Sequence, residues 1–477
     1  MLISECRRIF ILFIIFQASF LNRILAQSIE STYPKTLSSQ DDSFRIKFSN
    51  LSVVIPFKIS ETDTTDMGTD GATGLYAIIF YGKDSIRVDY HNLPYGQKHW
   101  IHLKSPKGKT VYELHFNPVA AEFSAEYIAK NNNNVQVEIP EAYELANIIW
   151  LLSPTGQRAD NLNKQGEYYQ QVIRYFHPYL NHPVFKSLDF RTDDFEDYFD
   201  FRENSFCFSF KNEKLVYNGP YYYVTGDDRV NFNSLFKKLL PLMQDFADKS
   251  SYVNFYKNNK PFYDNEILLE QKRMPVKKMW AWLEEKFPTI KYNSYKVVFS
   301  PLIGATHSTQ NFASLTDQGN WFKESVMFVA GPGIMGKDSA LTEEQKVGLF
   351  SAIVFTEIDH NYVNPVSMKY QTQIDSIFSK REIWTSSGGD TKFYGTPMEV
   401  FNEYMTHAVF CLYVLDNFDP VTADFIIKRR ESLMVDHRKY IRFKEFNQTL
   451  IKLYQQNKGS DLLPIFPRIL SWCRTQM

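Results

Sequence analysis

The stretch Phe355–Pro365, FTEIDHNYVNP, sets a glutamate and a histidine at a spacing that suits metal chemistry. Two histidines four residues apart on a helix can bind one metal ion, with a glutamate next to the first activating a metal-bound water as general base. Here Glu357 and His360 stand in the expected places, and Thr356 takes the position of the first histidine. A threonine hydroxyl is a poor zinc ligand at neutral pH, because zinc favours imidazole, thiolate or carboxylate. A second pair follows 43 residues after His360, where Glu403 and His407 lie four apart in GTPMEVFNEYMTHAVFCLYVLDNF and share one helix face. Inside an apolar stripe these two side chains need partners, because unpaired burial costs several kcal/mol.

Both segments carry helix signals. Thr342-Glu-Glu-Gln345 is a capping-box pattern, and the apolar spacing that follows predicts a buried helix ending no later than about Asn364, before Pro365. Thr396 predicts a second N-cap, with Pro397 in the first turn and Glu399 completing the box, so Glu399 is explained without chemistry.

With FTEIDHNYVNP and NEYMTHAVF, the stretches VEIPEAYELANIIWLLS, YYQQVIRYFHPYLNHPVF, VVFSPLIGATH and RRESLMVDHRKYIRFKEFNQTLIKLY resemble a bacterial family of uncharacterised function with gluzincin-like metallopeptidase features. The resemblance runs from about Val135 to the C-terminus, and the first 130 residues fall outside it. It implies Glu357 as general base, His360 as a zinc ligand and Glu403 as the third protein ligand. Thr356 departs from the family pattern, and so does His407, which stands where members carry arginine. A neutral imidazole at 407 could replace the missing ligand, so that His360, Glu403 and His407 hold the metal. The alternative is an inactive pseudo-peptidase, with these side chains in a buried polar network and the inherited cleft binding a peptide, glycan or protein partner. A third reading makes the N-terminal β-rich part the recognition module.

The remaining residues set the frame. The chain has 477 residues, a formal net charge of −1 and 44% hydrophobic residues, which is ordinary for a globular protein and gives no electrostatic argument for nucleic acid. Arg7 and Arg8 before IFILFIIF, then ILAQS, read as a signal peptide over residues 1–26 cleaved near Ala26, so the expected location is periplasmic or secreted. No other run approaches the ~18 apolar residues of a membrane span. The expected fold class is α+β. Residues 27–134 read as a β-sandwich-like domain, with a hairpin turning at SPKGK and a polar loop over 63–74, and the Asn131–Asn134 tract as its linker. Residues 135–477 read as a larger, mainly helical gluzincin-like domain.

Other candidates are weaker. Cys207, Cys411 and Cys473 read as buried apolar side chains. His177 and His182, each before proline, read as turn residues capping helices. His307 sits in a loop that could offer a ligand. AGPGIMG and GGD read as turns, since neither fits a phosphate-binding pattern.

Overall fold

The computed structural model describes residues 36–477, apart from 48–51, 57–76, 89–97, 116–120, 188–195, 218, 222–228, 306, 316–320, 336–339 and 458. The signal-peptide segment and the 63–74 loop lie outside the described residues.

The N-terminal strands form two sheets. In one, β1 (Leu37–Ser38) runs parallel to β6 (Lys98–Ser105), which pairs with β7 (Gly108–His115) in the hairpin expected at SPKGK. In the other the order is β3 (Ser52–Pro56), β2 (Ser43–Lys47), β4 (Ala77–Tyr81), β5 (Asp84–Val88), all antiparallel. Along β2, Phe44 and Ile46 are buried while Arg45 and Lys47 face water, the period-two alternation of a strand covered on one side.

One apolar core then runs from Ala121 to Cys473. Its first members precede the boundary expected at Asn134. Helix α1 (Ala125–Asn131) is capped by Ser124, and the Asn tract expected as a linker instead ends α1 and enters strand β8 (Asn134–Glu138). Phe123 and Tyr127 pack on Phe322, so this segment belongs with the C-terminal core. A short hairpin, β9 (Phe208–Lys211) and β10 (Lys214–Tyr217), stands apart from the main sheet.

The central sheet has the order β12 (Ser308–Leu315), β13 (Trp321–Ala330), β11 (Ser294–Ser300), β8. β8, β11 and β13 are parallel, and β12 is the antiparallel edge. Every residue of β11 is buried, as expected for a parallel strand covered on both faces. The helices used below are α2 (Glu141–Leu152), α3 (Glu167–Phe176), α4 (Glu196–Asn204), α5 (Lys260–Arg273), α6 (Val276–Lys286), α7 (Glu343–Met368), α8 (Gln371–Phe378), α9 (Pro397–Asn417), α10 (Pro420–Ser432), α11 (Phe443–Gln456) and α12 (Ile465–Thr475). The C-terminal region is mainly helical within an α+β chain.

Both predicted capping boxes form. Thr342 Oγ1 accepts from Gln345 N at 3.1 Å, and Thr396 Oγ1 accepts from Glu399 N at 3.2 Å, each with the reciprocal bond present. Helix α7 does not stop before Pro365 but continues to Met368. The proline removes one helical hydrogen bond. Burial of Val366, and the bond from Ser367 Oγ to the Val363 carbonyl at 3.1 Å, hold the last turn in place.

Candidate functional site

Helices α7 and α9 pack side by side in the core and bring the two sequence pairs together. Phe355 of α7 stacks on Tyr413 of α9, and Trp282 of α6 closes over both rings. Tyr295 of β11 meets Tyr362 of α7 hydroxyl to hydroxyl at 2.8 Å, which ties the helix to the sheet. These contacts set which face of α7 looks toward α9.

On that face Glu403 is the centre. Its Oε1 lies 3.3 Å from His360 Nε2, its Oε2 lies 3.4 Å from His407 Nε2, and Arg438 Nη2 reaches Oε2 at 2.8 Å. The Tyr394 hydroxyl stands against the same carboxylate and accepts from Arg438 Nη2 at 2.8 Å. Burial would raise the Glu403 pKa, but Arg438, with His360 and His407, holds it well below the carboxylate range.

His360 has an acceptor oxygen facing each ring nitrogen. Nε2 faces Glu403, and Nδ1 lies 3.2 Å from Asn364 Oδ1. With an acceptor on each side the ring is best satisfied as an imidazolium. Burial disfavours that charge, and Glu403 outweighs it, so the pKa is raised.

His407 has the opposite surroundings. Arg430 Nη1 lies 3.0 Å from Nδ1, and Arg438 Nη1 is in contact with Nε2. A neutral imidazole has one lone pair to offer two guanidinium groups. With the proton on Nε2, the ring donates to Glu403 and gives Nδ1 to Arg430, which satisfies the most partners. Burial and then Arg438 push the His407 pKa down to about 3.

Thr356 turns into its own helix, its hydroxyl donating to the Ala352 and Ile353 carbonyls at 3.1 and 3.3 Å. Glu357 keeps a partly open surface, yet burial pushes its carboxyl up to about 7, eased by His360 and reinforced by Glu403. The Thr309 hydroxyl of β12 lies near enough to ease that shift too. Asp359, which sequence reasoning passed over, is fully buried, and neither carboxylate oxygen has a hydrogen-bond partner. Burial, reinforced by Glu403 and Glu357, raises its pKa well above the usual range.

Zinc does not fit the side chains as they are arranged. The lone pair of His407 lies within reach of a guanidinium in either tautomer, Thr356 is turned away, and Glu403 is already paired with a cation. Among the described residues no group of three or more His, Cys, Asp or Glu side chains is disposed, as the side chains stand, to hold a metal ion.

Besides Asp359, the residues that sequence reasoning missed are Arg430, Arg438 and Tyr394. Arg430 ends α10, and a π-helical turn over Leu433–His437 precedes Arg438. Eight residues along a regular α-helix would leave two side chains about 80° apart. The wider turn changes that phase, and both guanidinium groups converge on His407. The GGD segment helps to hold this arrangement. Gly389 takes φ +63°, and a Cβ there would sit 2.5 Å from the His437 carbonyl oxygen, so the loop backbone lies directly against the turn. Ser386 N donates to the Lys439 carbonyl at 3.0 Å beside it. Both arginines fall in RRESLMVDHRKYIRF, whose basic residues were the available signal.

The other candidates have structural surroundings. His307 Nδ1 accepts from Ala330 N at 3.2 Å, and burial pushes its pKa down to about 3. His182 caps the following turn through Nδ1 and pairs with Asp245 through Nε2 at 2.9 Å. Cys207, Cys411 and Cys473 are free and buried.

Comparison of the chain with protein-family models, curated proteins and solved structures gives no match. No described helix is long and apolar enough to cross a membrane.

Proposed function

We propose that this protein is a non-catalytic, peptidase-like binding protein that works without a metal. The observation that carries this is His407 between Arg430 and Arg438, with Glu403 already paired to Arg438. A divalent ion at His360, Glu403 and His407 would meet two guanidinium charges and find no free lone pair on His407.

The ligand class that suits the site is an extended peptide. Edge strand β12 has β13 on one side and no strand paired on the other among the described residues, so its outer backbone groups are available to an added strand. Thr309 and Asn311 on β12 and Glu357, His360 and Asn361 on α7 keep exposed or half-exposed surface beside it. Asn311 Nδ2 donates to Asn361 Oδ1 at 2.6 Å, joining the two elements.

The second reading, a rearranged hydrolase, draws on Glu357, whose pKa of about 7 suits a general base or acid near neutral pH. One experiment separates them. The purified protein is offered zinc, dialysed and measured for metal beside His360→Ala and His407→Ala, and binding of a peptide library is followed with and without chelator. The binding reading expects no retained metal and chelator-insensitive peptide binding. Near-stoichiometric zinc lost in both variants, with peptide cleavage lost in Glu357→Gln, would overturn it.

A further inference from the structure

We infer that Arg438 is a built-in cation for this site, its guanidinium taking on Glu403 and His407 the place of a divalent metal beside His360, so that these three side chains form a latent metal site that opens when the arginines are removed. This rests on the metal-free reading above.

Three observations support it. Arg438 bridges two of the three side chains, with Nη2 on Glu403 Oε2 at 2.8 Å and Nη1 against His407 Nε2, and only 3% of it is exposed. Its placement is built from several elements. The Arg438 N–H closes the π turn on the Leu433 carbonyl at 2.9 Å, Gly389 abuts the turn, and the Tyr394 and Tyr440 rings flank the guanidinium at 5.6 Å each. The Glu403 carboxylate, on a residue 4% exposed, needs a neighbouring cation in order to stay ionised.

The groups behind the two histidines show what else must change. A metal-bound imidazole carries its proton on the far nitrogen and needs an acceptor there. His360 has one, since Nδ1 faces Asn364 Oδ1 at 3.2 Å. His407 has a donor instead, Arg430. Removing Arg438 alone therefore frees Nε2 of His407 but leaves an N–H facing an N–H at Nδ1. Replacing Arg430 with glutamine supplies a carbonyl that can accept. Two imidazoles and a carboxylate with an open fourth position are a zinc-type ligand set.

The test is cobalt(II) titration of wild type, Arg438→Ala, and Arg438→Ala/Arg430→Gln, followed by visible absorption and calorimetry. The double variant is expected to bind one equivalent at least 100-fold more tightly than wild type, with the intense visible bands of a low-coordinate site. Adding Glu403→Gln is expected to abolish this. A folded double variant that binds no better than wild type would overturn the inference. Should the double variant not fold, thermal melts of Arg438→Ala with millimolar methylguanidinium decide. A raised midpoint that an equal concentration of methylammonium does not reproduce supports a cation-shaped position, and no rescue counts against it. One equivalent bound by wild type would instead overturn the metal-free reading, a result the first titration reports separately.

Discussion

Glu403 on α9 and Glu144 on α2 are both buried carboxyls on core helices, and the structure shifts their pKa values in opposite directions. Around Glu403 stand Arg438 and two histidines. Around Glu144 stand hydroxyls: Tyr168 of α3 donates to Oε1 at 2.7 Å and meets Tyr263 of α5 at 2.6 Å, while Oε2 has no hydrogen-bond partner. Burial therefore pushes Glu144 up to about 7, with Ser300 and Tyr168 holding it back. Equal burial gives opposite pKa shifts because Arg438 stands beside Glu403 and hydroxyls stand beside Glu144. The difference shows where the molecule concentrates charge. The Glu144 network joins α2, α3 and α5 and holds up the sheet. The Glu403 network joins α7, α9 and the turn after α10, beside the half-exposed Glu357 and the edge strand β12.

Removing the cation should break the contrast most severely. Arg438→Ala leaves Glu403 and its neighbours buried without it, and a cost of about 3–5 kcal/mol is expected in denaturant titrations, with Arg438→Lys recovering part of the loss. A cost below about 1 kcal/mol would mean that the Glu403 network does not depend on its arginine.

Titration should sharpen the contrast next. A carboxyl whose folded pKa is raised binds its proton more tightly in the folded state, so its contribution is full below the unfolded pKa and is lost as pH rises through the folded one. For Glu144 that window runs from 4.5 to about 7. Glu144 should contribute a fall on the order of 3 kcal/mol across it, and Glu144→Gln should make that part of the profile shallower while the slope from Glu357 remains. Glu403, depressed, has its window on the acid side of 4.5 and adds no slope here. Unfolding midpoints at pH 5 and pH 8 for wild type and Glu144→Gln check this, and an unchanged slope in the variant would refute it.

A smaller effect is expected at the loop that supports Arg438. Gly389→Ala forces a side chain into φ +63° and onto the His437 carbonyl. About 1–3 kcal/mol of destabilisation should appear in thermal melts. The smallest effect is expected at Thr356. Its hydroxyl only shares carbonyls already bonded within the helix, so Thr356→Val should stay within about 0.5 kcal/mol of wild type. Elemental analysis of Thr356→His should show no gain of zinc while both arginines remain.

The amino-acid sequence by itself determined what depends on near neighbours. The capping boxes at Thr342 and Thr396, the SPKGK hairpin and the i,i+4 pairing of Glu403 with His407 were legible there, because each is written within a few residues. It also named Glu357, His360, Glu403 and His407 among the side chains that α7 and α9 contribute to the site. Only the tertiary structure decided their protonation and their partners. Arg430 and Arg438 lie 23 and 31 residues beyond His407, and nothing local says that a π turn and the Gly389 loop direct both onto one imidazole. The same holds for the extension of α7 past Pro365, where burial of Val366 outweighs the lost hydrogen bond, and for β8, whose place in the central sheet comes from pairing with β11 far along the chain. Charge state and metal fit depend on which groups share a buried volume, and packing across distant segments decides that.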